Sequence, residues 1–348
     1  VQGDTNMTGP LAIAVPGLVD GIGLAHRHWG TRDWGGLLDP AIALAKRGLL
    51  VDWYTSLVVG GGFAGLSRWP ASRDWFLPTG APPAVPLAPK SQAFLPAPQL
   101  AATLEVLKGG ARTFYDGPLA DRIAADAQAV GARLSRNDLA TYEARILPPL
   151  RIDHGGGTVW ATPEMSAGPT LAHVLRGHTG AGQATAPDAA WFLSMAEALS
   201  EAYRLRLSDM GDMDGRRDTG CTTHLSVVDR DGRMVALTQT LLSVFGSMVT
   251  LPDTGILMNN GIFWFDPRPE APNSIGPGKR CLANMCPVVV EREDGTRLAL
   301  GASGGRRILP AVAQVSAMAL DFGMDLETAL HHPRIDMSGS DVLTVDAR

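Results

Sequence analysis

Hydrophobic residues recur at helical spacing through the first part of the chain. Leu100, Leu104 and Leu107 share one helix face, and the glycine pair at residues 109–110 ends the predicted helix. A serine followed three residues later by an aspartate, at 135 and 138, predicts a capping box before another helix. The same spacing predicts further helices over residues 15–30 (after a turn), 37–50, 119–130 and 187–207.

The pattern changes after residue 207. Residues 208–220 are polar and glycine-rich, and the apolar or alternating runs that follow from Thr222 are typical of strands. A helix is predicted again over residues 306–323. Helices followed by strands predict an α+β fold with a layered sheet. Residues 69–98, which are rich in Pro and Ala, are predicted to form a long surface loop.

One predicted hairpin can be registered from its turn. A three-residue hairpin loop favours Gly at its last position, where φ is positive, and Gly232 fits that position. In this register Thr222 faces Thr240 and His224 faces Thr238. Two hydroxyl groups are therefore predicted to lie opposite each other at one end of the hairpin, within hydrogen-bond reach.

This pair predicts nucleophilic chemistry at Thr222. A Thr hydroxyl is a weak nucleophile unless a nearby base takes its proton, and a chain cut before Thr222 would free an α-amine with a pKa near 8. Thr240 could then position the hydroxyl. Gly304 and Gly305, between an apolar strand and a helix, are candidates for an oxyanion hole made of backbone N–H groups. A structural alternative stays open, because Thr pairs often open strands and glycines often form tight turns.

Composition excludes several other classes. The chain has 348 residues, a formal net charge of −5 and dispersed Lys and Arg, so nucleic acid is not an expected partner. No apolar run approaches the roughly 20 residues that span a bilayer, and no membrane partner is expected. The printed chain shows neither an initiator Met nor a signal peptide, which leaves its compartment open, with a cytoplasmic location favoured over a periplasmic one.

No cofactor or metal site is expected from the sequence. The three cysteines are too widely spaced for a disulfide framework or a zinc knuckle. The histidine pairs at 26 and 28 and at 331 and 332 have no Cys or carboxylate at ligand spacing.

Several motifs in this order resemble the gamma-glutamyltranspeptidase family. In the second half they are CTTHLSVVDRDGRMVALTQTLLSVFGS, TGILMNNG, PGKRCLANMCPVVV and GASGGRRI; upstream they are AVPGLVDGIGLAHRHWG, LLDPAIALAKRGL, FYDGPLADRIA and LSRNDLATYEA. The resemblance covers essentially the whole chain. It implies a four-layer αββα sandwich of the N-terminal-nucleophile hydrolase type.

The resemblance also implies roles for particular residues. The chain would cut itself between Cys221 and Thr222, and Thr222 would then attack an amide and form an acyl-enzyme that water or an amine acceptor resolves. Thr240 matches the threonine that contacts the nucleophile, and Gly304 and Gly305 match the oxyanion-hole pair. An αβ heterodimer is implied, with a higher oligomer as a further option. Its large part is 1–221 and its small part 222–348, which together form one interlocked domain.

The sequence departs from the family at the substrate-binding positions. Gly261 stands at a Glu or Gln position, Trp264 at an acidic one, and Leu242 at an Asn two residues after the second threonine. Ala283 and Asn284 replace a serine pair that helps to hold the substrate carboxylate. These losses favour another small amide, such as oxamate, over glutathione.

Three alternatives stay open. In the first, Asp266 or Arg268 restores the lost contacts and the protein is a true gamma-glutamyltransferase or glutathione hydrolase. In the second, the chain is an uncut, inactive relative that acts as a binding protein. The third concerns extent: family segments before and after this chain are expected to be missing or to lie outside it, and self-cutting could then fail.

Overall fold

The computed structural model describes residues 3–87, 91–180, 182–209, 221–338 and 342–346. The chain divides into two compact units, and each takes residues from both halves of the sequence. The first unit comprises Val1–Ile146 and Leu241–Phe263, and the second comprises Leu147–Thr240 and Trp264–Arg348. The predicted polar segment at 208–220 lies outside the described residues apart from its first two.

The helices and strands follow in chain order. The first unit contains α1 (Leu18–Trp29), α2 (Trp34–Arg47), β1 (Leu49–Leu50), α3 (Trp53–Leu66), α4 (Pro70–Phe76), β2 (Phe94–Leu95), α5 (Pro98–Leu107), α6 (Pro118–Ala129) and α7 (Arg136–Ala140). The second contains β3 (Leu150–His154), β4 (Gly157–Ala161), α8 (Gly168–Gly177), α9 (Ala189–Asp209), β5 (Cys221–Val228), most of β6 (Met234–Leu242), β7 (Val288–Arg292), β8 (Arg297–Leu300), α10 (Ile308–Asp321), α11 (Leu326–His331), β9 (Arg334–Asp336) and β10 (Thr344–Asp346).

The helices predicted from periodicity are present, and their ends lie within a few residues of the prediction. The capping box before α7 is also confirmed, because the Ser135 hydroxyl accepts from the Asp138 N–H and the Asp138 carboxylate accepts from the Ser135 N–H. Together with the strands, these helices confirm the α+β class. None of the described helices is long and apolar enough to cross a bilayer.

The predicted long loop over residues 69–98 is wrong at both ends, where α4 and β2 form. Pro70 opens α4, a position where its missing N–H costs nothing. Phe76 is buried against Phe245, with ring centroids 5.0 Å apart, and the Ser72 hydroxyl donates to the Met248 carbonyl at 2.8 Å. These partners lie about 170 residues along the chain, so local composition does not reveal them.

An antiparallel four-stranded sheet organises the second unit, in the order β3-β4-β7-β8. Alternate residues on one face are buried, with Ile152, Val159 and Val290 paired across the three neighbouring strands. Helices α8, α9 and α10 bury their apolar faces in the same core. Helix α10 is buried along almost its whole length, and its sequence is accordingly apolar on every side of the helix.

The division into a 1–221 part and a 222–348 part stays a prediction. The compact units do not follow it, since each contains residues from before and after Cys221.

Two thiols, the partly buried Cys281 and the buried Cys286, are expected to resist alkylation in the folded protein. Burial raises the pKa of Cys281 to about 11 and that of Cys286 to about 12. Only a very small thiolate fraction exists at pH 8, and the thiolate is the reactive form. Mass spectrometry after iodoacetamide treatment should find both unmodified until denaturant is added. Rapid alkylation of Cys286 in native protein would contradict this burial.

Candidate active site

The hairpin of β5 and β6 has the predicted register. The Asp229 N–H donates to the Arg233 carbonyl at 3.0 Å, and Gly232 adopts φ 77° at the last loop position. At the open end, the Thr222 hydroxyl lies 3.3 Å from the Thr240 hydroxyl. The turn therefore brings the predicted nucleophile and its predicted partner together, as the sequence indicated.

Thr240 also contacts the predicted cleavage point. Its hydroxyl donates to the Cys221 carbonyl oxygen at 2.7 Å, while the Thr222 hydroxyl donates to Thr240. One hydroxyl thus contacts both the group that would attack and the oxygen of the bond that would break. A donor aimed at a carbonyl oxygen stabilises the negative charge that develops there during attack.

His224 connects the two strands of the hairpin at the next residue pair on the same face, opposite Thr238. Its Nδ1 lies 2.8 Å from the Thr238 hydroxyl and its Nε2 lies 2.9 Å from the Ser226 hydroxyl. Burial lowers the pKa of His224 below its ordinary value, so the ring is neutral at pH 7. The ring is thereby held between the Thr238 and Ser226 hydroxyls.

The hairpin lies beside the end of β8. The Ser226 hydroxyl donates to the Ala299 carbonyl at 2.8 Å. His224, two residues before Ser226, has its ring against Gly301, two residues after Ala299. The chains therefore run antiparallel here. His224, two residues after Thr222, therefore lies against the segment that leads from β8 to Gly304 and Gly305.

Gly304 and Gly305 form the turn into α10. Their φ values are 129° and 59°, a region that only glycine adopts without strain. A short 3₁₀ turn over Gly305–Arg307 continues directly into the helix. The predicted oxyanion-hole residues therefore stand at a helix start, where backbone N–H groups and the helix dipole favour negative charge.

Gly301 is a sensitive position in this arrangement. A Cβ at residue 301 would overlap the His224 ring, which cannot swing away without losing its hydrogen bonds to Thr238 and Ser226. We expect Gly301→Ala to lower the free energy of unfolding by about 1–3 kcal/mol and to slow any cleavage at residue 222. Chemical denaturation measures the first effect.

The matched control is Gly60→Ala in helix α3, where an added Cβ meets no atom within 4 Å. This change is expected to be neutral or to stabilise by up to about 1 kcal/mol, because alanine favours helix. Equal stability of the Gly301→Ala variant and the parent would refute the close approach.

Among the predicted substrate-binding residues, Ala283 and Asn284 are held by one buried arginine. Arg206 of α9 is 2% exposed and donates to the Ala283 carbonyl at 3.0 Å and to the Asn284 side-chain oxygen at 2.9 Å. It also donates to the Thr170 hydroxyl at 3.1 Å. The turn that carries these two residues therefore rests on a buried positive charge.

Sequence reasoning missed Arg206, although a signal was present. Its position lies four residues after Ala202, on the apolar stripe that α9 buries. An arginine on the buried face of a helix is tolerated only when hydrogen-bond or charge partners satisfy it. Its presence there therefore indicates a structural or functional role.

Trp264 presents a different chemistry. Its Nε1–H is buried and has no acceptor within the described part of the chain, whereas its backbone carbonyl accepts from the Asn273 side chain at 2.6 Å. A buried donor without a partner is unusual, and a bound group with an acceptor atom would satisfy it.

Asp266, the predicted alternative contact, has both carboxylate oxygens hydrogen-bonded to Arg268.

Gly261 and Leu242 belong to the first unit. The Gly261 N–H donates to the Asn259 side-chain oxygen at 2.8 Å, and a Cβ at this position would press on Ala14. Leu242 is buried with φ 81°, a conformation that Asn tolerates better than Leu. This backbone geometry fits a position at which the family resemblance implies Asn.

Comparisons with known proteins identify the relatives of this chain. The family model for gamma-glutamyltranspeptidase matches residues 1–220 and 213–348. An acylase ACY 1 proenzyme of Pseudomonas sp. (strain V22) is 31% identical, over 96% of this chain and 66% of its own length. A glutathione hydrolase proenzyme of Escherichia coli (strain K12) is 29% identical, over 94% of this chain and 65% of its own length.

A solved cephalosporin acylase from Bacillus halodurans has the same fold, with a TM-score of 0.79, 23% identity, and coverage of 97% of this chain and 68% of that one. This likeness agrees with the predicted αββα class. The chain spans about two thirds of the length of the curated relatives that it matches. Because the family model covers both halves of the sequence, this chain belongs to the gamma-glutamyltranspeptidase family.

Proposed function

We propose that this chain is a threonine N-terminal-nucleophile amidohydrolase that cuts itself between Cys221 and Thr222 and then cleaves a small-molecule amide. The observation that carries the proposal is the Thr240 hydroxyl, which lies 3.3 Å from the Thr222 hydroxyl and 2.7 Å from the Cys221 carbonyl oxygen. The names of the relatives support it, since an acylase and a glutathione hydrolase are both described as proenzymes.

In the self-cutting step, the Thr222 oxygen adds to the Cys221 carbonyl carbon and passes its proton toward Thr240. The Thr240 hydroxyl stabilises the resulting oxyanion. The peptide C–N bond then breaks, and its nitrogen takes a proton to become the free α-amine of Thr222. Water hydrolyses the remaining ester, which leaves a carboxylate on Cys221 and the free hydroxyl on Thr222.

In the catalytic step, the α-amine of Thr222 acts as the base for its own hydroxyl. The hydroxyl attacks the substrate amide, and the N–H groups of Gly304 and Gly305 stabilise the oxyanion. The amine product leaves with a proton, and the acyl group stays on the Thr222 oxygen. Water, or an amine acceptor, then releases the acyl group.

The substrate positions argue against glutathione as the preferred substrate. An acidic residue would accept hydrogen bonds from a substrate ammonium, whereas the Trp264 N–H can only donate. The position therefore favours an acyl group that presents a carbonyl or carboxylate oxygen. We infer that the substrate is a small amide without a glutamyl α-amino group.

One experiment tests the self-cutting directly. Intact mass spectrometry and N-terminal sequencing of the purified protein should find two chains that remain associated as a heterodimer, the smaller beginning with Thr222. A single chain that retains full amidase activity would overturn the proposal. A single chain without activity would favour the second candidate, an uncut binding protein.

True gamma-glutamyl transfer is the rival within the same class, and the relatives named glutathione hydrolase favour it. Glutathione supplied with and without a dipeptide acceptor separates the two. Acceptor-stimulated turnover of glutathione at a rate above that of any simple amide would support the rival.

A further inference from the structure

A cluster of three ionisable side chains lies in the second unit, apart from the hairpin. His154 ends β3, His178 follows α8, and Asp321 ends α10. Their side chains are 6%, 0% and 1% exposed, respectively. One nitrogen of each histidine and one carboxylate oxygen of Asp321 all lie within 4.8 Å of one another.

The outer nitrogen of His154 fixes its tautomer. Its Nδ1 lies 2.8 Å from the Leu175 carbonyl oxygen, which can only accept, so Nδ1 carries the proton. In a neutral ring, Nε2 then has a lone pair, and it faces the Asp321 Oδ1 atom at 3.0 Å. Two lone pairs that face each other in a buried site repel unless a proton or a cation lies with them.

His178 approaches the carboxylate from the other side. Its Nε2 lies 3.4 Å from Asp321 Oδ2, and its Nδ1 lies 3.1 Å from the Ser194 hydroxyl. The Nε2 atoms of both histidines are buried, yet neither has hydrogen-bond geometry to any described group. They are aimed at the space beside the carboxylate.

One hydrogen bond orients the carboxylate. The Trp191 indole N–H donates to the Asp321 Oδ2 atom at 2.8 Å. Asp321 therefore offers carboxylate oxygens whose orientation Trp191 holds.

Space remains around these atoms. A Cβ on Gly155 would come within 2.8 Å of Asp321 Oδ1, and one on Gly180 within 3.3 Å. A cavity of about 350 Å³ lies against the three side chains. The glycines thus leave room for a ligand such as water on the open side of the cluster.

We propose that His154, His178 and Asp321 bind a divalent first-row transition metal ion, with Zn²⁺ as the probe of choice. Two neutral imidazoles and a carboxylate form a donor set that suits these ions better than Mg²⁺ or Ca²⁺. Neighbouring ligand atoms of a tetrahedral zinc site lie about 3.3 Å apart. Here His154 Nε2 lies 3.0 Å from Oδ1 and His178 Nε2 lies 3.4 Å from Oδ2 of Asp321, and one ligand atom from each residue lies within 4.8 Å of the other two.

The surrounding hydrogen bonds have the pattern of an outer ligand shell. Each metal-bound histidine usually donates its second N–H to a carbonyl or another acceptor, and bound carboxylates are themselves hydrogen-bonded. Leu175, Ser194 and Trp191 fill these places here. The ion would tie the ends of β3, α8 and α10 together and stabilise the second unit.

The test uses the full-length protein stripped with a chelator and dialysed against Zn²⁺. We expect one Zn²⁺ per chain by elemental analysis, and a rise in Tm of about 4 °C at a free zinc concentration roughly 100 times the Kd. Co²⁺ should give the intense visible absorption of a tetrahedral site. Absence of bound zinc and of this absorption would overturn the proposal and identify the cluster as an ion pair.

Variants locate the site. Asp321→Asn keeps an acceptor for Trp191 but loses the charge, and His154→Gln removes one nitrogen ligand; each should weaken zinc binding more than about 100-fold. Ser194→Ala removes only an outer contact and should weaken it about 10-fold. Circular dichroism checks that each variant folds, and the Co²⁺ spectrum of the parent decides the question if one does not.

The matched control is His331→Gln combined with His332→Gln, which removes one exposed and one partly buried histidine of the same unit. It should keep the zinc. Loss of zinc from this control, with retention in Asp321→Asn, would show surface binding and overturn the proposal. Since none of these measurements uses catalysis, they give the same answer in the Thr222→Ala protein.

Discussion

Thr222→Ala is expected to leave the protein as one uncut chain and to reduce ammonia release from amides by a factor of about 10⁴ or more. The variant lacks the oxygen that adds to the Cys221 carbonyl, so the C–N bond has no intramolecular nucleophile. It also lacks the oxygen that would carry the acyl group. A denaturing gel and an ammonia assay on the same preparation measure the two losses.

Thr222→Ser is the matched control, since it keeps the hydroxyl and removes only a methyl group. We expect it to be cut and active, though more slowly, because serine loses the rotamer restriction of a β-branched side chain. Its hydroxyl can still bond to Thr240. If Thr222→Ala released ammonia at the parental rate, the nucleophile would have to be another residue.

The proposed nucleophile could be predicted because the relevant structure is local. The turn at Gly232 sets the register of β5 and β6, and that register places Thr222 opposite Thr240 without any knowledge of the rest of the fold. The helices were predictable for a similar reason, since spacing and caps act within one or two turns.

Other features depend on contacts between distant residues. The predicted loop at 69–98 contains a helix because Phe76 and Ser72 pack on residues about 170 positions away. The Thr240 contact with the Cys221 carbonyl is an orientation that no spacing rule gives.

The metal-binding cluster shows this limit most clearly. His154 and His178 are 24 residues apart, and Asp321 lies 143 residues further on, so no motif with ligand spacing exists. The histidines that stand together in sequence, at 26 and 28 and at 331 and 332, are exposed or only partly buried. Only the antiparallel sheet and the buried helix α10 bring the three ligands together.

The parent enzyme is expected to turn over glutaric acid monoamide between about 10- and 100-fold faster than L-glutamine, compared by kcat/KM. The two amides have the same chain length and differ only in the α-amino group. Near Trp264 an ammonium meets the indole N–H, a donor, so this side chain does not replace its lost hydration. Over several altered positions, such discrimination can approach 10⁴-fold.

Trp264→Asp should shift this ratio toward L-glutamine by about 10-fold or more, because a carboxylate accepts from the ammonium. Trp264→Phe is the matched control: it keeps an aromatic ring but removes the N–H, and it should gain nothing for L-glutamine. The ratio of two substrates on one preparation does not depend on how much of the protein is folded. Equal turnover of both amides by the parent would mean that an acceptor elsewhere holds the ammonium, and gamma-glutamyl chemistry would then be the better assignment for this site.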